Sequence, residues 1–301
     1  LRTGDAPGMS FLDRIRAANA YDLGSFLPFS VNGTRVGCVK KSFAETLTRW
    51  PEVFRVDDHR VSLAENLDSH DVPAKERTQA VGEVLQRLRG EGYIEGWRDE
   101  LYPVNRSWSE PAFLLIERAA VPWFGVRGYG VHMNGFVHTA QGTSMWIARR
   151  SLTKPTGPGK LDQMVAGGQP AAIGLHDNMV KECAEEAGIP IEIARHARAV
   201  GAISYALEDK VGFRPDLLFN FDLELPGDFS PVNTDGEVDA FYLWPMERVV
   251  EAVRDGDSFK FNCALVVIDF LVRHGYIAAD DPDYSDIVEG LMASPELPPG
   301  W

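Results

Sequence analysis

Residues 167–189 read Gly-Gly-Gln-Pro-Ala-Ala-Ile-Gly-Leu-His-Asp-Asn-Met-Val-Lys-Glu-Cys-Ala-Glu-Glu-Ala-Gly-Ile. Glu182, Glu185 and Glu186 follow a Gly-Gly pair, read here as a turn, and the run stops at Gly188. Offsets of three and four residues bring side chains together on one helix face. Three carboxylates on a short face repel one another unless water or a cation neutralises them. Mg²⁺ and Mn²⁺ prefer oxygen ligands, so the stretch is expected to hold a metal and a phosphate. Val180, Cys183, Ala184 and Ala187 have the i, i+3, i+4, i+7 spacing of a buried stripe. At about 100° per residue that stripe is expected roughly opposite the glutamates. Gly188 suits a left-handed C-terminal cap, and Lys181 is placed to pair with Glu185. For an isolated Glu-x-x-Glu-Glu, a solvated acidic face is the commoner arrangement. The flanking residues favour the metal.

The stretch resembles the Nudix box: Gly, five residues, Glu, seven residues, then Arg-Glu-(apolar)-x-Glu-Glu-x-Gly-(apolar). Gly167 matches the first Gly, and Glu182, Cys183, Glu185, Glu186, Gly188 and Ile189 match the second half in register. Lys181 stands where Arg is usual, and Ile173 where the first Glu is usual. Further stretches resemble one Nudix subfamily: 130–135 (Gly-Val-His-Met-Asn-Gly), 146–151 (Trp-Ile-Ala-Arg-Arg-Ser), 235–238 (Asp-Gly-Glu-Val) and 259–264 (Phe-Lys-Phe-Asn-Cys-Ala). That subfamily includes plant Nudix proteins and the Nudix half of fungal thiamine pyrophosphokinase fusions. The resemblance implies Mg²⁺- or Mn²⁺-dependent hydrolysis of a diphosphate to monophosphate and phosphate, with damaged (oxidised) thiamine diphosphate as the favoured substrate. A nucleoside diphosphate derivative is the alternative. A non-catalytic ligand-binding module of the same fold is a further one, motivated by Ile173 and Lys181.

By the same resemblance, Glu182, Glu185, Glu186 and the backbone carbonyl of Gly167 surround the metal. Glu182 and Glu237 are the candidates for general base. Glu237 follows Asp235-Gly236, a turn signal, and would enter from a loop. Arg150, at a strand end, Lys154, in the next loop, and Lys181 are expected to meet the phosphates, as fork or point charge. Lys160 and Arg214 are weaker candidates. His132 and Asn134, on one face of a strand at i and i+2, are candidates for contacting the heterocycle. So are Tyr205 and Trp123, although core packing is the default for aromatics. A prenyl diphosphate isomerase would need a reactive cysteine; Cys263 is the candidate, since Cys183 falls on the apolar side of its helix.

The chain has 301 residues and 45% hydrophobic composition, enough for two domains with full cores. A net charge of −14 disfavours nucleic acid and anionic membranes as partners. A phosphate site must then be assembled locally. Three scattered cysteines give no disulfide framework or zinc spacing. With no signal-peptide pattern in Leu1–Ser10, a cytoplasmic location is expected. The expected partner is a small-molecule diphosphate; a homodimer is open.

The fold class expected is α/β (α+β). A small α+β accessory domain (1–120) precedes a Nudix-type α/β/α sandwich with a mixed sheet (121–301). Helices are expected at 10–20, 41–50, from Pro73 to Gly90, at 245–255 and at 261–274. Strands are expected at 34–40, 53–56, 60–63, 125–137, 143–150, 198–207, 217–225 and 238–244. Loops are expected at 152–163 and 226–236, and a loosely packed tail after Ala279.

Overall fold

The computed structural model describes residues 10–154, 156–296 and 298; the leader reading of Leu1–Ser10 therefore falls almost wholly outside the described residues. Helix α1 (Phe11–Ala18) is set by a capping box. Ser10 Oγ accepts the Asp13 N–H at 3.2 Å, and the Asp13 carboxylate accepts the Ser10 N–H at 2.9 Å. Strands β1 (Phe26–Val31), β2 (Thr34–Lys40), β3 (Phe54–Val56) and β4 (Val61–Leu63) form a sheet in the order β2-β1-β4-β3. Helices α2 (Lys41–Leu47) and α3 (Ala74–Gly90) accompany it. An antiparallel pair, β5 (Leu101–Val104) and β6 (Leu114–Glu117), follows, and then a short helix, α4 (Val121–Phe124).

The second part begins with β7 (Tyr129–Thr139), β8 (Gly142–Arg150), β9 (Leu161–Gln163) and β10 (Val165–Gly168). Helices α5 (Leu175–Ala187) and α6 (Ile191–Ala194) come next, then β11 (Arg198–Glu208), β12 (Phe213–Glu224) and β13 (Val238–Pro245). Helices α7 (Met246–Arg254), α8 (Phe261–Arg273) and α9 (Tyr284–Gly290) complete the described chain. The sheet order is β11-β12-β7-β8-β13, with β10 on β7 and β9 on β8. β7 runs parallel to β12 and antiparallel to β8, so the sheet is mixed.

One edge of β7 is shared. β8 pairs with it only at Phe136–Thr139. Nearer its start, β10 takes the same edge, with Gly167 opposite Val131 and Gly168 opposite Gly130. Side chains alternate across the sheet. Val131, Met133, Phe221 and Leu223 pack with Met179, Cys183 and Ala187 of α5. Phe136 and Leu218 pack on the other face with α8. Helix α8 is apolar around most of its surface and buries a continuous run from Asn262 to Ile268. The sheet between α5 and α8 is an α/β/α sandwich, as the resemblance implied.

Several local expectations change. Gly167-Gly168 is strand, not turn. Residues 161–163, expected in a loop, are β9, because their backbone finds β8 as a partner. The tail is anchored: Ile287 and Leu291 are buried in the α8 core, and Leu291 O accepts the Ser204 N–H. Helix α1, assigned by sequence to the N-terminal domain, joins that same core through Leu12, Ile15 and Ala18. Conversely, the N-terminal core takes in Val121, Phe124 and Val126, past residue 120. The buried stripe of α5 is Met179, Cys183, Glu186 and Ala187, with Val180 packed against it half-buried, whereas Ala184 is exposed. Glu186 is only ~60° around the helix from Cys183, so one glutamate is drawn to the apolar side.

Candidate active site

Two glycines on β10 let two walls close on the strand. A Cβ on Gly167 would lie 2.3 Å from Cδ of Glu182. A Cβ on Gly168 would lie 1.9 Å from Oη of Tyr102 and 3.1 Å from Cζ of Arg118. The following loop is held from inside. Asn178, fully buried at the start of α5, donates to Gly168 O at 2.8 Å and to Gln169 Oε1 at 3.0 Å. Gln169 Nε2 donates to Ile173 O at 2.7 Å. Side-chain amides thus fix the loop in which Ile173 replaces a glutamate.

The carboxylates divide into two groups. Lys181 bridges Glu182 at 2.8 Å and Glu185 at 2.9 Å. Glu186 turns inward, where its carboxylate accepts the Ala166 N–H at 2.8 Å. Oxygens of Glu186, Asp235 and Glu237 lie within 4.8 Å of one another. Of the sequence-derived trio, Glu182 and Glu185 share Lys181, while Glu186 joins two residues of a distant loop. That loop is docked on the end of α5. Val232 N–H donates to Ala187 O, and Thr234 Oγ1 to Glu185 O. Within the turn, Asn233 Oδ1 accepts the Gly236 N–H and Asp235 Oδ1 the Glu237 N–H, each at 2.8 Å.

Burial raises Glu186 well above the usual carboxylate range; the Ala166 N–H opposes this, and Asp162, Glu182 and Glu237 push the same way. Burial also raises Glu182, against the pull of Lys181 and Arg118. In Glu237 burial is outweighed by Lys154, with help from Arg150 and Arg98, and the carboxyl is held low. The donor set fits a hard divalent cation. It is all oxygen, it carries more negative charge than its lysine neutralises, and its most buried member is disfavoured as an anion without a cation nearby.

The expected phosphate ligands are each engaged. Arg150 donates to Asp162 at 2.5 Å and to Thr156 O at 3.0 Å. Lys154 pairs with Glu237, Lys160 with Asp257, and Arg214 with Asp209. Arg150 is better described as a buttress, because its pair with buried Asp162 is itself nearly buried.

His132 and Asn134 do share a face, but it is the α8 face, away from α5. His132 Nδ1 contacts Gln163 Oε1 at 2.8 Å, and Gln163 Nε2 donates to Cys263 O at 2.7 Å. Asn134 donates to Asp222 at 3.2 Å. Tyr205 is removed as a substrate contact: it lies in the α8 core and donates to Asp216 at 2.6 Å. Trp123 packs on Phe43 and Tyr93 in the N-terminal core. His132, Asp162 and Cys263 also converge. There the thiol donates to Asp162 at 2.7 Å and Arg150 supplies the countercharge, so the group is satisfied without a metal. Cys263 is fully buried and its thiol is pushed up by burial and by Asp162, which removes the nucleophile an isomerase needs.

A cavity of about 240 Å³ lies elsewhere, between α3 and the β5–β6 pair, lined by Gly82, Leu85, Trp97, Leu101 and Leu115. Its lining carries two carboxylates, Glu83 and Glu117, and no other acidic residue, histidine or cysteine. Sequence reading missed Asp235 as a cluster member and Asp162, Tyr102, Arg98 and Arg118 as neighbours. In sequence Asp235 carries only the turn signal of Asp235-Gly236, and the other four carry no motif signal.

The chain is 45% identical over 285 residues to Nudix hydrolase 24, chloroplastic, of Arabidopsis thaliana, covering 93% of this chain and 77% of that one. The chain belongs to the Nudix hydrolase family. A second Arabidopsis thaliana relative of this Nudix hydrolase, Nudix hydrolase 20, chloroplastic, is 44% identical over 93% of this chain and 77% of its own. An uncharacterized Saccharomyces cerevisiae protein, YJR142W, is 31% identical over 94% and 91%. Residues 10–128 of the Nudix hydrolase match the profile of a domain of unknown function (DUF4743). The span starts at the cap of α1 and ends just before β7.

Proposed function

We propose that this hydrolase cleaves a small-molecule diphosphate in a Mg²⁺- or Mn²⁺-dependent reaction, with a damaged thiamine diphosphate as the favoured substrate. The carrying observation is the convergence of Glu186, Asp235 and Glu237 at the box helix. These carboxylates would hold the ion, which neutralises phosphate charge and acidifies bound water. Glu182 is the preferred base. It stands beside Gly167 with its side chain 15% exposed, and its raised pKa brings it closer to the working pH. A water oxygen bonds to phosphorus, the bridging P–O bond breaks, and the water proton passes to the Glu182 carboxylate.

The substrate preference rests on the four subfamily-like stretches, which hydrogen bonds link to one another. Residue His132 of the first reaches Cys263 of the fourth through Gln163. Arg150 of the second meets Asp162, which accepts from Cys263. Ser151 N–H donates to Glu237 O of the third. A phosphate-release assay over oxidised thiamine diphosphates, nucleoside diphosphate derivatives and inorganic pyrophosphate tests the reading. Turnover is expected with Mg²⁺ or Mn²⁺, fastest on the thiamine compounds; no turnover of any diphosphate would sink it.

A further inference from the structure

The N-terminal unit does not merely abut the site. The ends of β5 and β6 nearest β10 carry two arginines, Arg98 just before β5 and Arg118 just after β6. Glu117, buried at the end of β6, fastens both segments: its carboxylate accepts the N–H of Arg98 at 2.8 Å and that of Ala119 at 3.3 Å. The same end is tied to the box loop, because Ala171 N–H donates to Leu101 O at 2.9 Å. A side chain at Gly168 would run into Tyr102 and Arg118, and one at its neighbour Gly167 into Glu182. Successive residues of a strand face opposite ways, so Arg118 and the proposed base flank β10 from its two sides at neighbouring residues.

Both guanidiniums have capacity left. The Arg118 side chain is 43% exposed and makes one ion pair among the described residues, from Nη1 to Glu100 at 3.0 Å. Its Nε and Nη2 have no partner among them. Arg98 is exposed and its side chain has no hydrogen bond or ion pair among the described residues. The charge of Arg118 acts on Glu182 and that of Arg98 on Glu237. By contrast, Arg150, Lys154 and Lys181 are already paired with carboxylates.

We propose that Arg98 and Arg118 form a phosphate-binding arm, through which the N-terminal unit completes the catalytic cleft and holds the diphosphate against the acidic cluster. This rests on the diphosphatase reading for its biological meaning, but binding can be measured apart from turnover. An exposed ion pair such as Arg118–Glu100 contributes little to stability, so removing Arg118 should leave the fold intact.

The test is titration of Mg²⁺-pyrophosphate into wild type, R98A, R118A, the double variant and E100Q, followed by calorimetry, with melting temperature as the fold check. At least fivefold weaker binding is expected in each single arginine variant and at least twentyfold in the double. E100Q, which frees Arg118 from its pair, should bind within twofold of wild type or more tightly. In turnover, KM should rise in the arginine variants with kcat changed less than threefold. Pyrophosphate binding by the double variant within twofold of wild type would overturn the arm, and so would the absence of binding by wild type. A wild type that binds through these arginines yet hydrolyses no diphosphate would instead refute the hydrolytic reading and leave the arm standing.

Discussion

Replacing Gly167 by Ala separates the position of a carboxylate from its presence. The new Cβ would lie 2.3 Å from Cδ and 2.6 Å from Oε1 of Glu182, where ordinary contact begins at 3.4 Å. The Glu182 carboxylate must then retreat by about 1 Å, a displacement able to cost about a hundredfold in rate. The retreat is cheap in stability, because the crowded atoms, Cγ through Oε1, all belong to one flexible side chain and β10 need not move. The overpacking cost should stay near the low end, about 1 kcal/mol. Gly174→Ala is the matched control. Its Cβ meets nothing nearer than 3.6 Å, and loss of a glycine N-cap costs up to about 1 kcal/mol. Steady-state phosphate release with Mg²⁺, alongside urea denaturation, should show Gly167→Ala about a hundredfold slower and Gly174→Ala close to wild type, at similar stability. If Gly167→Ala kept activity within threefold of wild type, Glu182 would not be the base and the role of this close approach would be wrong.

Glu186→Gln should remove at least a hundredfold of activity and yet stabilise the metal-free protein by about 1 kcal/mol, since a buried carboxylate beside two others is replaced by a neutral isostere. Thermal shift should also show that Mg²⁺ stabilises wild type and not this variant. Burial holds His132 at about 4 against an ordinary 6.5, opposed by Asp162 and reinforced by Lys260 and Arg150. Between those values the unfolded chain binds the extra proton, so stability falls as pH drops from 6.5 towards 4. The loss at pH 5 relative to pH 7 should be about 2 kcal/mol, read as the difference between wild type and His132→Asn in urea titrations; equal pH dependence would refute it. Burial pushes Cys38 and Cys183 up to about 12 and raises Cys263 well above its ordinary value. A thiol reagent at pH 8 should label none of the three in the native protein and all of them in guanidinium; rapid native labelling would contradict this.

The sequence is most legible where interactions are local. The helical character of the acidic stretch, its glycine stop and the Lys181–Glu185 pair depend on neighbours three or four residues apart, and all appear in the structure. Spacing alone does not say which way a helix is rotated onto its sheet. Glu186 therefore sits on the buried side, and Ala184 is exposed. The strand character of Gly167-Gly168 was hidden, because glycine carries no strand signal and the pairing partner lies on β7. Tyr205 shows the opposite error: an aromatic that could have stacked on a ligand is satisfied by Asp216 and the α8 core. The cationic wall was illegible for a different reason. Arg98 and Arg118 lie in the other half of the chain, and only the tertiary contact between β5, Gly168 and the box loop brings them to the glutamates.

The central claim is that Glu186, Asp235 and Glu237 form the cation site. An anomalous difference map from crystals soaked in Mn²⁺ with a non-hydrolysable diphosphate tests it most directly. The account predicts a peak within coordination distance of these three carboxylates, with the diphosphate lying between that peak and Arg118. A map with no peak there, or with its strongest peak at His132, Asp162 and Cys263, would contradict it.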